Sequence, residues 1–221
     1  MSRFRTYDNS ARSRAAAETR RRILDTAREL LLEGGYHAMS VAQLAAAARV
    51  SPQTVYNAVG GKGEVVKAVY DLLLAGDESP VPMSERPEFL AMAQAPDREG
   101  FGRAYAAFSA SIHSRVGPLL GVLLAEGAGS DATLKEFVAT IDRERLTGNT
   151  HAIGLLERSH GLPAGRAAAD LVDEVWTLTA PEVFDRLVRR RGWSTGRYGA
   201  WLADALAAAC TRTAEPERRG L

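Results

Sequence analysis

Two short helices, each with a strong start signal, follow one another closely in residues 40–61 and constrain the fold most. Ser40 and Gln43 have the spacing of a capping box, in which the serine accepts a hydrogen bond from the amide of residue 43 and the glutamine side chain reaches back. Ser51 offers a second N-cap, and Pro52 stands at the first helical position, where a missing N–H costs nothing. The pair Gly60-Gly61 then ends the helix. This pattern predicts a helix-turn-helix.

A longer helix is predicted before this pair, because apolar residues recur on one face up to Gly34-Gly35. A fourth helix is predicted from Lys62 to Gly76, followed by three prolines within DESPVPMSERP. Residues 77–221 continue with apolar residues at helical spacing, with a break at Pro181 and no strand-like alternation. The first stripe consists of Ile23, Leu24, Ala27, Leu30 and Leu31. The sequence therefore predicts an all-α fold with a three-helix N-terminal domain and a helical bundle after it.

Charge is distributed unevenly along the chain, although the net charge is only +1. Residues 1–62 contain ten Lys or Arg and five Asp or Glu, whereas the remaining residues contain 18 and 22. A basic N-terminal region followed by an acidic region indicates that the N-terminal region binds a polyanion. Residues 1–18 are rich in Arg and Ser and poor in apolar residues, which predicts a flexible basic arm. Such an arm either enters a minor groove or only adds charge.

Composition excludes several other classes of protein. Hydrophobic residues make up 46% and charged residues 25%, as in an ordinary globular protein with a sizeable core. No apolar run approaches the roughly 18 residues of a membrane span, and the N-terminus lacks the apolar segment of a signal peptide. These features predict a cytoplasmic protein without a membrane partner. Cys210 is the only cysteine, so neither an intrachain disulfide nor a cysteine-based metal site is expected.

The glycines around Lys62 raise the alternative of a nucleotide-binding loop. A P-loop requires G-x-x-x-x-G-K-[ST] after a strand. Here Tyr56 stands where the first glycine belongs, Gly63 replaces the hydroxyl residue, and the preceding segment is a capped helix. We therefore interpret Gly60-Gly61 as the end of one helix that delivers Lys62 to the start of the next, either towards a nucleic-acid backbone or simply into solvent.

The stretch RRRILDTARELLLEGGYHAMSVAQLAAAARVSPQTVYNAVGGKGEVV resembles the N-terminal domain of TetR-family transcriptional regulators. The features that carry the resemblance are Gly35-Tyr36, Val50-Ser51, Thr54-Val55-Tyr56 and Lys62. The resemblance implies a homodimeric DNA-binding regulator, a repressor that a small hydrophobic effector releases from a palindromic operator. A constitutive or partner-controlled DNA-binding protein without a small ligand is the alternative.

Three positions depart from the usual pattern of the family. Arg49 stands where glycine is usual before the Val-Ser pair, and Ala58-Val59 replaces an aromatic pair. Gly63 follows the lysine where an acidic residue is usual, although Glu64 comes directly after it. These changes affect individual DNA contacts and leave the class of protein unchanged.

The second short helix is expected to read DNA. A helix in the major groove contacts base edges with its N-terminal, outward residues, and the polar side chains of Gln53, Thr54 and Asn57 suit that role. Residues at helix starts, or just after the recognition helix, are better placed for phosphates. For Tyr56, half-buried packing is the alternative. The predicted DNA-contacting residues are Ser40, Arg49, Ser51, Gln53, Thr54, Tyr56, Asn57 and Lys62.

An enzymatic body is not expected from the sequence, and no cofactor or metal is predicted. The four histidines, His37, His113, His151 and His160, are scattered, and no H-E-x-x-H motif occurs. Glu157 and His160 have i, i+3 spacing, which alone is a weak bundle-metal motif and more often a surface pair. The serines Ser109, Ser111 and Ser114 lack the setting of a nucleophile elbow.

Effector sensing and dimerisation are the roles that the resemblance implies for the body. The candidate effector-binding residues, each of which is alternatively core packing, are Met92, Tyr105, Phe108, His113, Phe137 and Trp176. The candidate dimer-interface residues on the last two helices are Phe184, Leu187, Trp201, Leu202 and Leu206. The predicted organisation is an arm at 1–18, a helix-turn-helix DNA-binding domain at 19–62, a linking helix at 63–76, and a ligand-sensing and dimerisation domain at 77–221.

Overall fold

The computed structural model describes residues 4–77, 79, 81–127 and 131–214, and within these ranges it contains helices and no strand. The all-α prediction is confirmed. Shorter helical segments are two 3₁₀ turns, Met83–Glu85 and Ala91–Gln94, and a π-helix, Asp185–Arg190. The α-helices are α1 Phe4–Ala38, α2 Val41–Ala47, α3 Pro52–Ala58, α4 Lys62–Ala75, α5 Pro87–Leu90, α6 Arg98–Gly127, α7 Ala132–His160, α8 Ala168–Leu178, α9 Pro181–Phe184 and α10 Thr195–Thr211.

The chain forms two compact units. The first runs to Gly76 and also takes in Pro118–Val138, and the second consists of Asp77–Gly117 and the chain from Ala139 onward. One boundary between the units falls after Gly76. The inclusion of residues 118–138 in the first unit was not anticipated, because apolar periodicity marks the buried face of a helix without saying which neighbour covers it.

The first unit has its core between α1 and the three helices that follow it. Ile23, Ala27 and Leu31 are fully buried, as the predicted stripe requires. They pack in one core with buried residues of the next helices, such as Leu44 and Val55, both at 0% exposure. Burying side chains of this size stabilises a fold by roughly 1.5–3 kcal/mol each, which outweighs the weak propensity of two-turn helices.

Helix α1 differs from its prediction at its start. It begins at Phe4, so residues 4–18 are helical rather than an irregular arm. No glycine or proline precedes Gly34, and Ala15, Ala16 and Ala17 are the best helix formers, which explains the extension. At the other end Gly35 has non-helical dihedral angles (φ 81°, ψ 178°), which interrupt the helix where the sequence predicts its end, and a short helical segment follows up to Ala38.

The second unit is built around an apolar core that α6, α7, α8 and α10 share. Helices α6 and α10 approach each other closely at Gly102, where a Cβ would lie 2.6 Å from the carbonyl oxygen of Leu206 and 2.7 Å from the backbone of Ala207. The predicted start of α10 is confirmed, since the Ser194 side chain accepts from the amide of Arg197. The predicted break at Pro181 is confirmed too.

The dimer-interface prediction is wrong for three of its five residues. Phe184, Leu202 and Leu206 are 4%, 0% and 0% exposed within a single chain, so they belong to the core of their own unit. Side chains that are already covered in one protomer offer no apolar surface to a second. Leu187 and Trp201 are partly buried and keep some exposed surface.

Helix α6 includes a segment, Arg98–Glu126, that is long and apolar enough to cross a membrane by length and composition alone. Its buried residues include Phe101, Leu119 and Leu123, which the protein itself covers. A core helix of a globular protein passes the same test.

Candidate nucleic-acid interface

Helices α2 and α3 begin with the caps that the sequence predicts. The Ser40 hydroxyl accepts from the amide of Gln43 at 3.2 Å, and the Gln43 side-chain oxygen accepts from the Ser40 amide at 2.9 Å. The Ser51 hydroxyl accepts from the Thr54 amide at 3.0 Å and lies 2.8 Å from the Thr54 hydroxyl. These hydroxyls hold the helix starts, so any contact of Ser40, Ser51 or Thr54 with DNA would be made by groups that already have a partner.

The turn between the two helices passes through Arg49 in a left-handed conformation, with φ 54°. Arg49 is the only residue other than glycine with positive φ among the described residues, and its side chain is exposed. A Cβ makes this conformation unfavourable by roughly 1–2 kcal/mol, because it crowds the following carbonyl oxygen. The backbone of the turn therefore suits the glycine that is usual there.

We expect Arg49→Gly to raise the free energy of unfolding by about 1 kcal/mol, because the strain of the left-handed residue is removed. Urea denaturation measures the change. Arg28→Gly is the matched control: Arg28 is exposed on α1, and glycine there should lower the stability by about 1 kcal/mol. Equal losses of stability in both variants would show that the turn carries no strain.

The solvent side of α3 carries three polar side chains, Gln53, Tyr56 and Asn57, all of them exposed. Val55 is 0% exposed and anchors the opposite side in the core. The Gln53 side-chain nitrogen donates to the Asn57 side-chain oxygen at 2.9 Å, so the two amides lie side by side. Tyr56 is 54% exposed, which argues against half-buried packing. The face has the groups that hydrogen-bond to base edges and phosphates.

Lys62 lies at the start of α4, directly after the glycine turn. Gly60 has φ 123° and lies just after α3, where the sequence predicts the end of that helix. The Lys62 Nζ is 3.9 Å from the centre of the Tyr36 ring, an attractive cation–π distance. Tyr36 is buried, and burial, with a smaller effect of the Asp131 carboxylate, raises its pKa. The ring thus fixes the position of the ammonium group.

A nucleotide phosphate does not fit at this turn. A Cβ on Gly60 would lie 2.8 Å from the Glu64 Cβ, and one on Gly61 would lie 3.1 Å from the Glu64 Oε2. The Glu64 side chain therefore covers the two glycines and places a negative charge where a phosphate would have to bind. The segment before the turn is the helix α3, whereas a P-loop follows a strand.

Two arginines of α1 have structural roles that sequence reasoning missed. Arg20 Nη1 donates to the carbonyl of Ala58 at 2.8 Å, and Arg22 Nε donates to the carbonyl of Ala48 at 3.1 Å. These carbonyls lie at the C-terminal ends of α3 and α2, where helices leave acceptors unpaired and where positive charge is favourable. In the sequence, both residues counted only as basic charge.

The candidate effector residues are divided between the two units. Met92, Tyr105 and His113 are buried in the second unit, in which Phe108 and Trp176 are partly buried. Phe137 instead belongs to the first unit, where its ring lies 5.9 Å from that of Tyr70.

A buried polar cluster surrounds two of these candidates. The Tyr105 hydroxyl donates to the Asn149 side-chain oxygen, which also accepts from the Thr179 hydroxyl at 3.3 Å. The His113 Nδ1 lies 3.0 Å from the Tyr198 hydroxyl. Burial, then the charge of Arg145, lowers the pKa of His113 to about 4, although a hydrogen bond with the Thr179 backbone opposes this. The imidazole is therefore neutral at neutral pH.

Arg145 is the charged member of this neighbourhood. Its Nη2 donates to the Trp176 carbonyl at 2.8 Å, and its Nη1 pairs with Asp142 at 2.9 Å. Burial raises the pKa of the Tyr105 and Tyr198 hydroxyls, and the charge of Arg145 opposes this rise. A signal for this cluster was present in the sequence. Arg145 and Asn149 interrupt the apolar stripe of α7 at helical spacing from the buried Ile141.

Comparison with known proteins agrees with the helix-turn-helix geometry. Residues 23–69 match the family described as bacterial regulatory proteins, tetR family. No curated protein matches the chain in sequence.

Two solved structures share the fold at low sequence identity. A crystal structure of a HlyIIR mutant with a GSSGSSG linker has a TM-score of 0.58 and 14% identity, covering 91% of this chain and 99% of that one. A putative fatty acid metabolism regulator of Clostridium perfringens has a TM-score of 0.59 and 12% identity, covering 87% of this chain and 100% of that one. The match over residues of α1 to α4 identifies an N-terminal domain similar to that of the tetR family, and the two structures show that the fold of the chain is similar to theirs.

Proposed function

We propose that this protein is a cytoplasmic homodimeric repressor that binds a palindromic operator through α3 and leaves it when a small effector binds the second unit. The observation that carries the DNA-binding part is the exposed polar face of Gln53, Tyr56 and Asn57 on a helix whose other side is buried through Val55. A two-fold symmetric dimer presents two such helices, and an operator that fits them is palindromic.

Base reading is assigned to Gln53 and Asn57. Each side-chain amide has the donor and acceptor that pair with the N7 and N6 of adenine in the major groove. In the free protein the two amides bond to each other at 2.9 Å, which holds them in position before DNA arrives. Tyr56, Lys62 and Arg49 are assigned to phosphates, and the Tyr36 ring orients the Lys62 ammonium for that contact.

We expect alanine at Gln53 or Asn57 to cost roughly 1–3 kcal/mol on the operator and little on random DNA, since only a base contact is lost. Lys62→Ala should weaken binding to all sequences about equally and lower the salt slope by about one unit. Fluorescence anisotropy at several salt concentrations, with an operator selected from a random duplex pool, measures both effects.

Lys67→Ala is the matched control for Lys62. Lys67 lies on the same helix, pairs with Asp71 and should leave the salt slope unchanged. A sequence-specific loss in Lys62→Ala, or equal losses on operator and random DNA in the Gln53 and Asn57 variants, would reverse the assignment of roles. Loss of ATP binding in Lys62→Ala with DNA binding intact would support a nucleotide loop instead.

We propose that the dimer interface uses apolar side chains of the second unit that its own core leaves partly exposed. Leu187 and Trp201 keep partly exposed apolar surface on the last helical segments, and the family resemblance implies dimerisation through this part of the chain. Sedimentation velocity tests this part of the proposal. A monomer at micromolar concentration with full operator affinity would remove both the dimer and the reason for a palindrome.

The effector site is proposed at the polar cluster of Tyr105, His113 and Asn149, which lies in an otherwise apolar core. An effector releases DNA only if it binds the conformation that does not fit the operator more tightly than the one that does. Thermal-shift screening followed by operator release tests the switch. The polar groups of the cluster satisfy one another, which favours as second candidate a DNA-binding protein that needs no effector.

A further inference from the structure

We propose that the second unit binds an amphipathic monocarboxylate, with its carboxylate held between the guanidinium of Arg145 and the indole N–H of Trp176 and its hydrocarbon part among apolar side chains. This inference names the chemical class of ligand for the proposed effector site. It rests on the proposed function only in the claim that ligand binding releases DNA. The binding itself is a separate claim.

The first observation is the indole nitrogen of Trp176. It is buried from solvent and has no hydrogen-bond partner among the described residues. An indole nitrogen is a donor only, and more than nine in ten buried polar groups in proteins have a partner. The missing partner must therefore be an acceptor.

The second observation is the guanidinium of Arg145 beside the same ring. Its central carbon is 5.7 Å from the centre of the Trp176 indole, and its Nη2 is fixed by the Trp176 carbonyl at 2.8 Å. The side chain is 14% exposed, and its carboxylate partner Asp142 is 50% exposed. A guanidinium has five N–H donors, of which these two contacts use two. Further donors therefore remain for an acceptor that approaches the indole.

The third observation is that the surrounding buried groups are neutral. Tyr105, His113 and Tyr198 are uncharged at neutral pH, because burial raises the pKa of the two phenols and lowers that of the imidazole to about 4. A ligand anion would therefore meet no charge from these three groups, and the nearest charges are the Arg145 guanidinium and its partly exposed partner Asp142. Charge-assisted hydrogen bonds to a carboxylate are about twice as strong as neutral ones.

The fourth observation defines the rest of the ligand. Val172 and Val175 are buried on the same helix as Trp176, and the core that they join consists mainly of Leu, Phe, Ala and Val side chains. The buried polar groups of this core, such as Tyr105 and Asn149, already bond to one another, so a second charged group on the ligand would find no free partner there. The chemistry selects an organic acid with one carboxylate and an apolar body.

Titration calorimetry of the full chain with hexanoate, decanoate and 4-phenylbutanoate tests the proposal, with methyl decanoate as the neutral counterpart. We expect at least one carboxylate to bind saturably and the ester to bind about tenfold more weakly or not at all. Trp176→Phe keeps the ring and removes the N–H, and it should weaken carboxylate binding about tenfold. Arg145→Met should abolish it.

Trp193→Phe is the matched control, because the Arg197 guanidinium lies 4.0 Å from the centre of the Trp193 ring in a comparable pair. The Trp193→Phe variant should bind carboxylates with the affinity of the natural chain. Arg145 also binds the backbone carbonyl of Trp176, so Arg145→Met could fold poorly for that reason. In that case the test depends on the affinity of Trp176→Phe for carboxylates and on the affinity of the natural chain for the ester. The proposal is overturned if no carboxylate binds, if the ester binds equally, or if Trp176→Phe binds unchanged.

Operator release is measured with the same compounds. Binding without release would support the site and overturn its role as the effector switch. Release by an unrelated compound in a chain that binds none of the three carboxylates would overturn the inference and leave the repressor function standing.

Discussion

We expect Gly102→Ala to lower the free energy of unfolding by about 2–3 kcal/mol. A Cβ at this position would lie 2.6 Å from the Leu206 carbonyl oxygen and 2.7 Å from the Ala207 Cα and nitrogen. These are backbone atoms of α10 that cannot rotate away, so α6 and α10 must separate and lose contacts along their crossing. This loss exceeds the gain of about 1 kcal/mol that alanine brings to a helix interior.

Gly148→Ala, in the same unit, should change the free energy of unfolding in the opposite direction. Gly148 lies inside α7 with nothing within 4 Å of the added Cβ, so only the helix propensity changes and the stability should rise by about 1 kcal/mol. Urea denaturation of both variants measures the difference. If Gly102→Ala were as stable as Gly148→Ala, the close crossing of α6 and α10 would be wrong.

The second large effect is a loss of stability with falling pH that comes from His113. Its pKa is about 4 in the folded protein against an ordinary value of 6.5, because burial and then the charge of Arg145 disfavour the imidazolium. Between these two values the unfolded chain takes up a proton that the folded chain does not, so protonation favours unfolding. The contribution of His113 is complete above about pH 6.5, declines as the pH falls to about 4, and changes no further below that. The total loss is about 3 kcal/mol.

Denaturant unfolding at several pH values tests this expectation. His113→Asn keeps an acceptor near the Tyr198 hydroxyl and has no titrating group, so its stability should be lower at neutral pH but flatter between pH 6.5 and 4. His151→Asn, an exposed substitution on α7, should retain the slope of the natural chain. An unchanged slope in His113→Asn would assign the pH dependence to other groups.

The parts of the fold that the sequence predicted are those that depend on neighbours in the chain. The capping box at Ser40, the N-cap at Ser51 and the glycine stop at Gly60 involve atoms within a few residues, so local chemistry determines them. The recognition-helix residues followed from the same local geometry, because the buried Val55 fixes which side of α3 faces solvent. Their contacts with DNA remain a prediction.

The features that were missed depend on which elements meet. The stripe of α10 predicted a buried face correctly, but Leu202 and Leu206 are covered by the same chain and not by a partner. In the same way, the apolar character of Phe137 did not reveal that it joins the first unit. Arg145 was passed over because a charged residue in a helix is usually solvated, and only the packing of α7 buries its side chain to 14% exposure.

The two arginine contacts of α1 have a consequence for transplanting the DNA-reading element into another protein. Helices α2 and α3 have seven residues each, too few to be stable alone in water. Arg20 and Arg22 bind their last carbonyls from a different helix. A chimera that contains only α2 and α3 would leave those carbonyls without their donors. The smallest transplanted segment that preserves the geometry of α2 and α3 therefore also includes α1.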